Sequence, residues 1–582
     1  MLLQHPTPGR KRLGRESGRV TGRRGARGVL RVLVLAVALL AEPEPGTQTR
    51  AASPAPADAH SEVLIVVNAN WPPSVAIGEY YRKLRSVPES NVLALSYGPA
   101  RGDFASATFE TIDRATFEAS IRNPVAAFLE SHDLKDKIRV IVLAKGVPLH
   151  VAAGTSPAPE TYLRDSTEAS VDAELAILFS GKEGSPGIVG MTNPYFDSDQ
   201  AFMAFRTAQP NAALRYLVAR LDGYAEELDP KTGVPADVKA LIDRAQAHGP
   251  AGTFLIDEDA AKTGALASGN RILLAPTAAI LHSLGRDVRH DVTKQFVSNA
   301  TNIAGYASWG SNDLANPGPP YYGKIKGALF PGSFVPRAIA VDFVSTNART
   351  FARPRLEAYG QSLVADLVHL GVSGAAGYVA EPALVGCAHP SILFRRYVEG
   401  VPAAEAYYRS IPYLGWVNVY VGDPLMTVGE PTTTHPSDLD GDGVPDAEDN
   451  CLEIPNPDQR DTDGDGIGNL CDPDVNKEGV VTTSWGQFFP LESAGDIERI
   501  ALAAHRQLYD PNYDLDGDGK VDETDVGIAQ LWLLLPPGPS GRRRVQERAV
   551  SDPPEPAPAT QRRRAGEGAA GAASATAGSP GK

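Results

Sequence analysis

Residues 62–85 read EVLIVVNANWPPSVAIGEYYRKLR. Val63 to Val67 form an apolar run without alternation, the mark of a strand covered on both faces. The segment from Ser74 then turns to helical periodicity. The same change of period recurs downstream. NVLALSY (91–97) precedes TFEASIRNPVAAFLESH (116–132), and IRVIVLAKG (138–146) follows. Further on come GTFLIDED (252–259), NIAGYASWG (302–310) and RAIAVDF (337–343). QSLVADLVHLG (361–371) leads into GAAGYVAEP (374–382), and WVNVYVGDPLM (416–426) closes the series. Val- and Ile-rich runs separated by helices predict an α/β domain over residues 61–430, a mostly parallel sheet flanked by helices, with insertions near 150–210 and 311–333.

The flanks read differently. The first 31 residues carry nine Arg or Lys, and Val32 to Ala41 is a ten-residue apolar run. That order predicts a signal peptide over roughly residues 1–41 and a secreted or cell-surface protein, the run being too short for an anchor. Residues 42–60 read as a Pro- and Ala-rich linker, and 541–582 as a disordered tail.

The chain has 582 residues and a formal net charge of −15, but the acidity is local. Residues 438–474 hold thirteen acids and one Arg, and residues 510–525 hold seven acids and one Lys. Such clustering points to bound cations, not to nucleic acid. Of three cysteines, Cys451 and Cys471 flank an acidic loop, which in an exported chain predicts a disulfide, and Cys387 is left over.

Aligned on glycine, the acidic stretches share one register. Asp438, Asp440, Asp442, Asp446 and Asp449 stand at loop positions 1, 3, 5, 9 and 12, with Gly443 at position 6. Asp461, Asp463, Asp465, Asn469 and Asp472 repeat this around Gly466, and Asp514, Asp516, Asp518, Asp522 and Asp525 around Gly519. Calcium takes six to eight oxygens at about 2.3–2.6 Å, and a loop with carboxylates at this spacing and a glycine at the sharp turn supplies them. The expected ligand is therefore Ca²⁺. Aspartate in place of a bidentate glutamate at position 12 points to the weak class of about 10⁻⁴ to 10⁻³ M. A fourth loop, DVNKEGVVTTSW from Asp474, has Trp485 where the acid belongs.

With DNC, NPDQRD and DGIGNLCD, residues 438–472 resemble thrombospondin type 3 repeats (segment 431–473), which implies a fold organised around calcium. The two loop-plus-helix units of 474–540 resemble a dockerin, a calcium-dependent EF-hand-type docking module. That resemblance implies a cohesin-like or other extracellular protein partner. NANWPPSVAIGEYYRKLR, VIVLAKGVPLHV, SVDAEL, YASWGSND and YLGWVNVYVGDPLM resemble a family of exported bacterial proteins associated with the PEP-CTERM sorting system, one without an established activity. More distantly, the order of strands is similar to the gingipain-like peptidases of the caspase fold. The positions of their histidine and cysteine fall here on Trp309 and Glu381, so the Cys/His dyad is missing at those places. Cys387 and His389 stand close together at CAHP.

In open α/β sheets, ligands gather at the carboxyl ends of strands. The polar residues expected there are Asn68, Lys145, Asp257, Ser308, Ser311, Asn312, Asp313, Glu381 and Asp423. Glu381, Asp313, Ser311 and Lys145 are the candidates for acid–base chemistry if they converge; singly, each reads equally as a turn or a helix cap. The sequence thus supports two functions: a calcium-binding exported interaction protein with the repeats as spacer or docking unit, and a secreted hydrolase acting on peptide or polysaccharide.

Overall fold

A computed structural model describes residues 59–544 apart from 101, 155–161, 188–190, 249–250, 314–329, 353–360 and 485–493. The expected signal peptide, most of the linker, Trp485 and most of the tail lie outside the described residues.

Ten strands form one sheet: β1 (Val63–Asn68), β2 (Val92–Leu95), β3 (Val140–Ala144), β4 (Leu217–Leu221), β5 (Thr253–Asp257), β6 (Val288–Asp291), β7 (Ala300–Ser308), β8 (Gly332–Asp342), β9 (Gly374–Tyr378) and β10 (Asn418–Gly422). Their spatial order is β2-β1-β3-β4-β10-β9-β8-β7-β5-β6. The pairs β1/β2, β1/β3, β3/β4, β5/β6, β5/β7, β7/β8 and β8/β9 are parallel. β10 is antiparallel to β9, from Gly374↔Gly422 to Tyr378↔Asn418, and meets β4 at the pair Val421↔Arg220. Every residue of β1, β3, β4, β9 and β10 is buried, as expected for strands covered on both faces. Each such Val, Leu or Ile side chain contributes about 1.5–3 kcal/mol by leaving water. The charged strand β6 closes one edge with its central residues exposed, a composition that discourages further pairing. Three two-residue strands, Thr111–Ile112, His150–Val151 and Ala169–Ser170, make a second small sheet.

Local chemistry explains how the opening unit folds. After β1, Pro72 and Pro73 occupy the first turn of helix Pro72–Arg85, where a missing N–H costs nothing. The helix lies close on β1 because Gly78 has no side chain: a Cβ there would come within 2.4 Å of Val67 Cγ1.

Beyond β10 the chain folds back onto the α/β domain. Buried Leu470, Val481, Ile500, Leu515, Ile528 and Leu531 belong to the same apolar core as the sheet. Helix Glu523–Leu531 packs on the turn Gly264–Leu266, which follows β5, and on Leu384–Gly386, which follows β9. A segment with too little apolar surface of its own therefore gains a core by sharing one.

Candidate metal centres

The three acidic loops wrap in one way. The position-1 carboxylate takes the amides of positions 4 and 6: Asp438 from Gly441 and Gly443, Asp461 from Gly464 and Gly466, Asp514 from Gly517 and Gly519, at 2.7–3.2 Å. Both glycines of each loop have positive φ, which a side chain would strain. This wrapping gathers the acids. Carboxylate oxygens of Asp438, Asp440 and Asp442 lie within 4.8 Å of one another, as do those of Asp461, Asp463 and Asp465 and those of Asp514, Asp516 and Asp525.

The remaining loop residues divide into two patterns. In the first two loops the position-9 side chain holds the position-2 amide: Asp446 accepts from Leu439 at 2.7 Å and Asn469 from Thr462 at 2.8 Å. In the third loop the position-12 residue Asp525 does this, accepting from Leu515 at 2.7 Å, while Asp522 caps the helix through the Thr524 amide. Asp518 stays outside the third cluster and pairs with Lys520 at 3.3 Å. At position 12, Asp449 accepts from Cys451 N–H and Gln459, and Asp472 from the Asp474 amide. The Cys451–Cys471 disulfide is formed, linking the end of the first loop to the second.

These residues fit a hard divalent cation. Asp440 is almost wholly buried, and its Oδ2 has no hydrogen-bond partner. Burial, with Asp449 and Asp442 beside it, pushes its carboxyl up to about 8. Asp472 is likewise pushed up to about 8 by burial next to Asp465, and Asp525 to about 6, mainly by burial. Gathered carboxylates repel by roughly 3–4 kcal/mol per pair at an effective dielectric of 20. A bound Ca²⁺ would reverse that sign and satisfy the orphaned oxygen.

The loop at Asp474, read as lacking its last acid, is closed from farther along the chain. Asp474 accepts from the Glu478 and Gly479 amides, and Asp496, in the first turn of helix Asp496–Arg506, accepts from the amides of Asn476 and Thr482 and from the Thr482 hydroxyl. Asp496 was not foreseen, because it stands well beyond the twelve-residue frame.

At the sheet, the predicted edge residues fall into separate places. Lys145 is buried and pairs with Asp222 at 2.9 Å, also donating to the Phe351 carbonyl at 3.3 Å. Beside it Arg220 grips Asp172 at 2.5 Å and the carbonyls of Val147 and Pro148 at 2.8 Å. Glu110 accepts from Thr350 and Phe351, its carboxyl raised by burial against the opposing pull of Lys145. None of Glu110, Asp172, Arg220 and Asp222 was singled out from sequence, although SVDAEL and ARLDG carry three of them inside apolar surroundings. Asn68 ties the carbonyls of Tyr97 and Gly146.

Asp257 is fully buried, accepts from the Val297 amide and Ser308 hydroxyl, and is pushed up to about 7 by burial, with Asp313 and Asp291 adding to the shift. Asp313 is itself buried. Ser311 accepts from the Ser362 amide at 3.0 Å, and Asn312 holds the Phe343 carbonyl at 2.7 Å. Glu381 is exposed and caps the Ala383 amide. Of the four acid–base candidates, Lys145, Ser311 and Asp313 are buried and Glu381 is exposed; Ser311 and Asp313 share the turn after β7, whereas Lys145 follows β3 and Glu381 follows β9.

Asp423 corrects the edge assignment. Because β10 runs against β9, its end lies beside the start of β9, where Asp423 accepts from Tyr81 at 2.8 Å, Arg85 and Gln246. Cys387 and His389 also part company. The thiol, raised far above its usual range by burial, reaches the Ala383 carbonyl at 3.5 Å, whereas His389 stacks edge-on against Phe196 and is lowered to about 4 by burial.

No family model matches the chain. Near its C-terminus, in the region of the type 3 repeats, the chain is similar to cartilage oligomeric matrix protein: 44% identical to that of Bos taurus over 54 residues, and 45% to those of Mus musculus and Homo sapiens over 53. These stretches cover 7–8% of this chain and 7% of each relative, so the chain spans a small fraction of the proteins it matches. Among solved structures, the complex of Porphyromonas gingivalis RgpB pro- and mature domains aligns at a TM-score of 0.34 and 10% identity, over 64% of this chain and 81% of that one.

Proposed function

We propose that the chain is an exported calcium-binding protein, in which Ca²⁺ held by the loops at Asp438, Asp461 and Asp514 organises the C-terminal segment that supports an α/β binding domain. The observation that carries this reading is the buried, unpartnered Oδ2 of Asp440 within a gathered set of three carboxylates. Export is supported by the basic and apolar leader and by the acidic loops, which suit extracellular calcium concentrations. A secreted hydrolase is the weaker reading. Lys145 is neutralised in a buried ion pair, Glu381 caps a turn in solvent, and Cys387 and His389 have separate partners. A cohesin-like partner would have to engage a surface other than the helix face around Gly527, which already meets Ala265.

Isothermal titration of the purified chain with Ca²⁺ tests the proposal. Ion uptake in which Asp440→Ala, Asp463→Ala and Asp516→Ala each remove one site is the expected result. Heat-silent titration with no change in circular dichroism at millimolar calcium would overturn it.

A further inference from the structure

We infer that calcium controls the docking of the C-terminal segment onto the chain's own α/β domain, and with it the cover over the loops that leave β5 and β9. The inference rests on the calcium reading above. It goes further, because ions could fill the loops without altering anything outside them.

Two of the contacts joining the two parts run through the calcium loops themselves. Arg271, in the helical turn Gly269–Leu274 that follows β5, donates to the backbone carbonyl of Asp516 at 2.9 Å, and the Asp516 carboxylate belongs to the third cluster. Ser283 donates to the carbonyl of Leu439 at 2.5 Å, the residue between Asp438 and Asp440. A loop whose carboxylates repel must open, and these carbonyls move with it. Between these anchors the helix that follows the third loop is seated with no room to spare: a Cβ on Gly527 would lie 2.4 Å from the Ala265 carbonyl oxygen. That helix begins at Glu523 inside the loop, with Asp522 and Asp525 forming its capping box. Its start is therefore held in part by Asp525, which also belongs to the gathered third cluster.

A third tie crosses the type 3 repeats. Buried Arg395 on helix Pro390–Val398 bridges Glu453, between the first two loops, and Asp197 of the α/β domain. Breaking one member of such a buried set leaves charges unpaired, so the docked state is favoured only while the repeats hold Glu453 in place. By linkage, whatever stabilises the docked loops raises their affinity for calcium, and calcium stabilises docking by the same amount.

The test is hydrogen exchange on the full chain with calcium and after chelation, reading peptides 258–274 and 383–389. Chelation should raise their exchange by about tenfold or more, with calcium restoring protection. Gly527→Leu and Arg271→Ala, which leave every loop carboxylate in place, should raise it in the presence of calcium while titration still shows ion uptake. Normal uptake with exchange in these peptides indifferent to calcium and to both variants would overturn the inference and leave the calcium reading standing. Absence of uptake would overturn both.

Discussion

Asp496 stands toward the loop at Asp474 as Asp525 stands toward the loop at Asp514: each sits in the first turn of a helix, buried, and accepts the position-3 and position-9 amides of its loop. Burial raises both carboxyls. Replacing Asp496 by Ala strands the amides of Asn476 and Thr482, a cost of about 2–4 kcal/mol. Urea unfolding of the full chain should show that loss, and Asp496→Asn should recover part of it. An unchanged midpoint would mean that this loop contributes nothing to the fold.

Asp257 gives the α/β domain a pH dependence. Its carboxyl is pushed up to about 7 from 3.8, chiefly by burial, so the native state holds a proton that the unfolded chain has lost. That contribution is complete below about pH 4 and disappears as pH rises through about 7. Asp257→Asn should therefore be more stable than the parent at pH 8 by roughly 2–4 kcal/mol, with the advantage fading toward pH 4. Equal stabilities at both pH values would contradict the assignment.

Lys145 is expected to be structural. Lys145→Met leaves Asp222 and Glu110 without their buried cation and should cost about 3–5 kcal/mol, softened where Arg220 takes up Asp222. Adding Asp222→Asn to that variant should restore part of the loss in chemical denaturation; additive losses would argue against the pairing.

Cys387, buried and with its thiol raised by that burial, should resist a thiol reagent in the native chain and react once per molecule after unfolding. Rapid labelling of native protein would place the sulfur in an accessible pocket instead.

The sequence announced most of the buried strands because unbroken runs such as VLIVV suit a strand covered on both faces, though not β4, whose LVARL is interrupted by Arg220, and it announced the acidic loops because their aspartates recur at one spacing. β6 escaped notice, since VRHD carries the charges of an edge and none of the apolar signal of a strand. Strand direction was equally hidden: the VYV of β10 reads the same either way, and Asp423 was placed at the wrong edge for that reason. Partners distant along the chain, as with Asp496, Arg271 and Arg395, leave no local pattern to recognise.

β10 is the last strand in the sequence but the fifth in the sheet, wedged between β4 and β9. During synthesis the growing chain must therefore wait for residues 418–422 to leave the ribosome before its two strand blocks can join, and until then both carry an unpaired inner border. A product cut short between β9 and Asn418 would keep β1 to β9 and none of the seam, and it should aggregate.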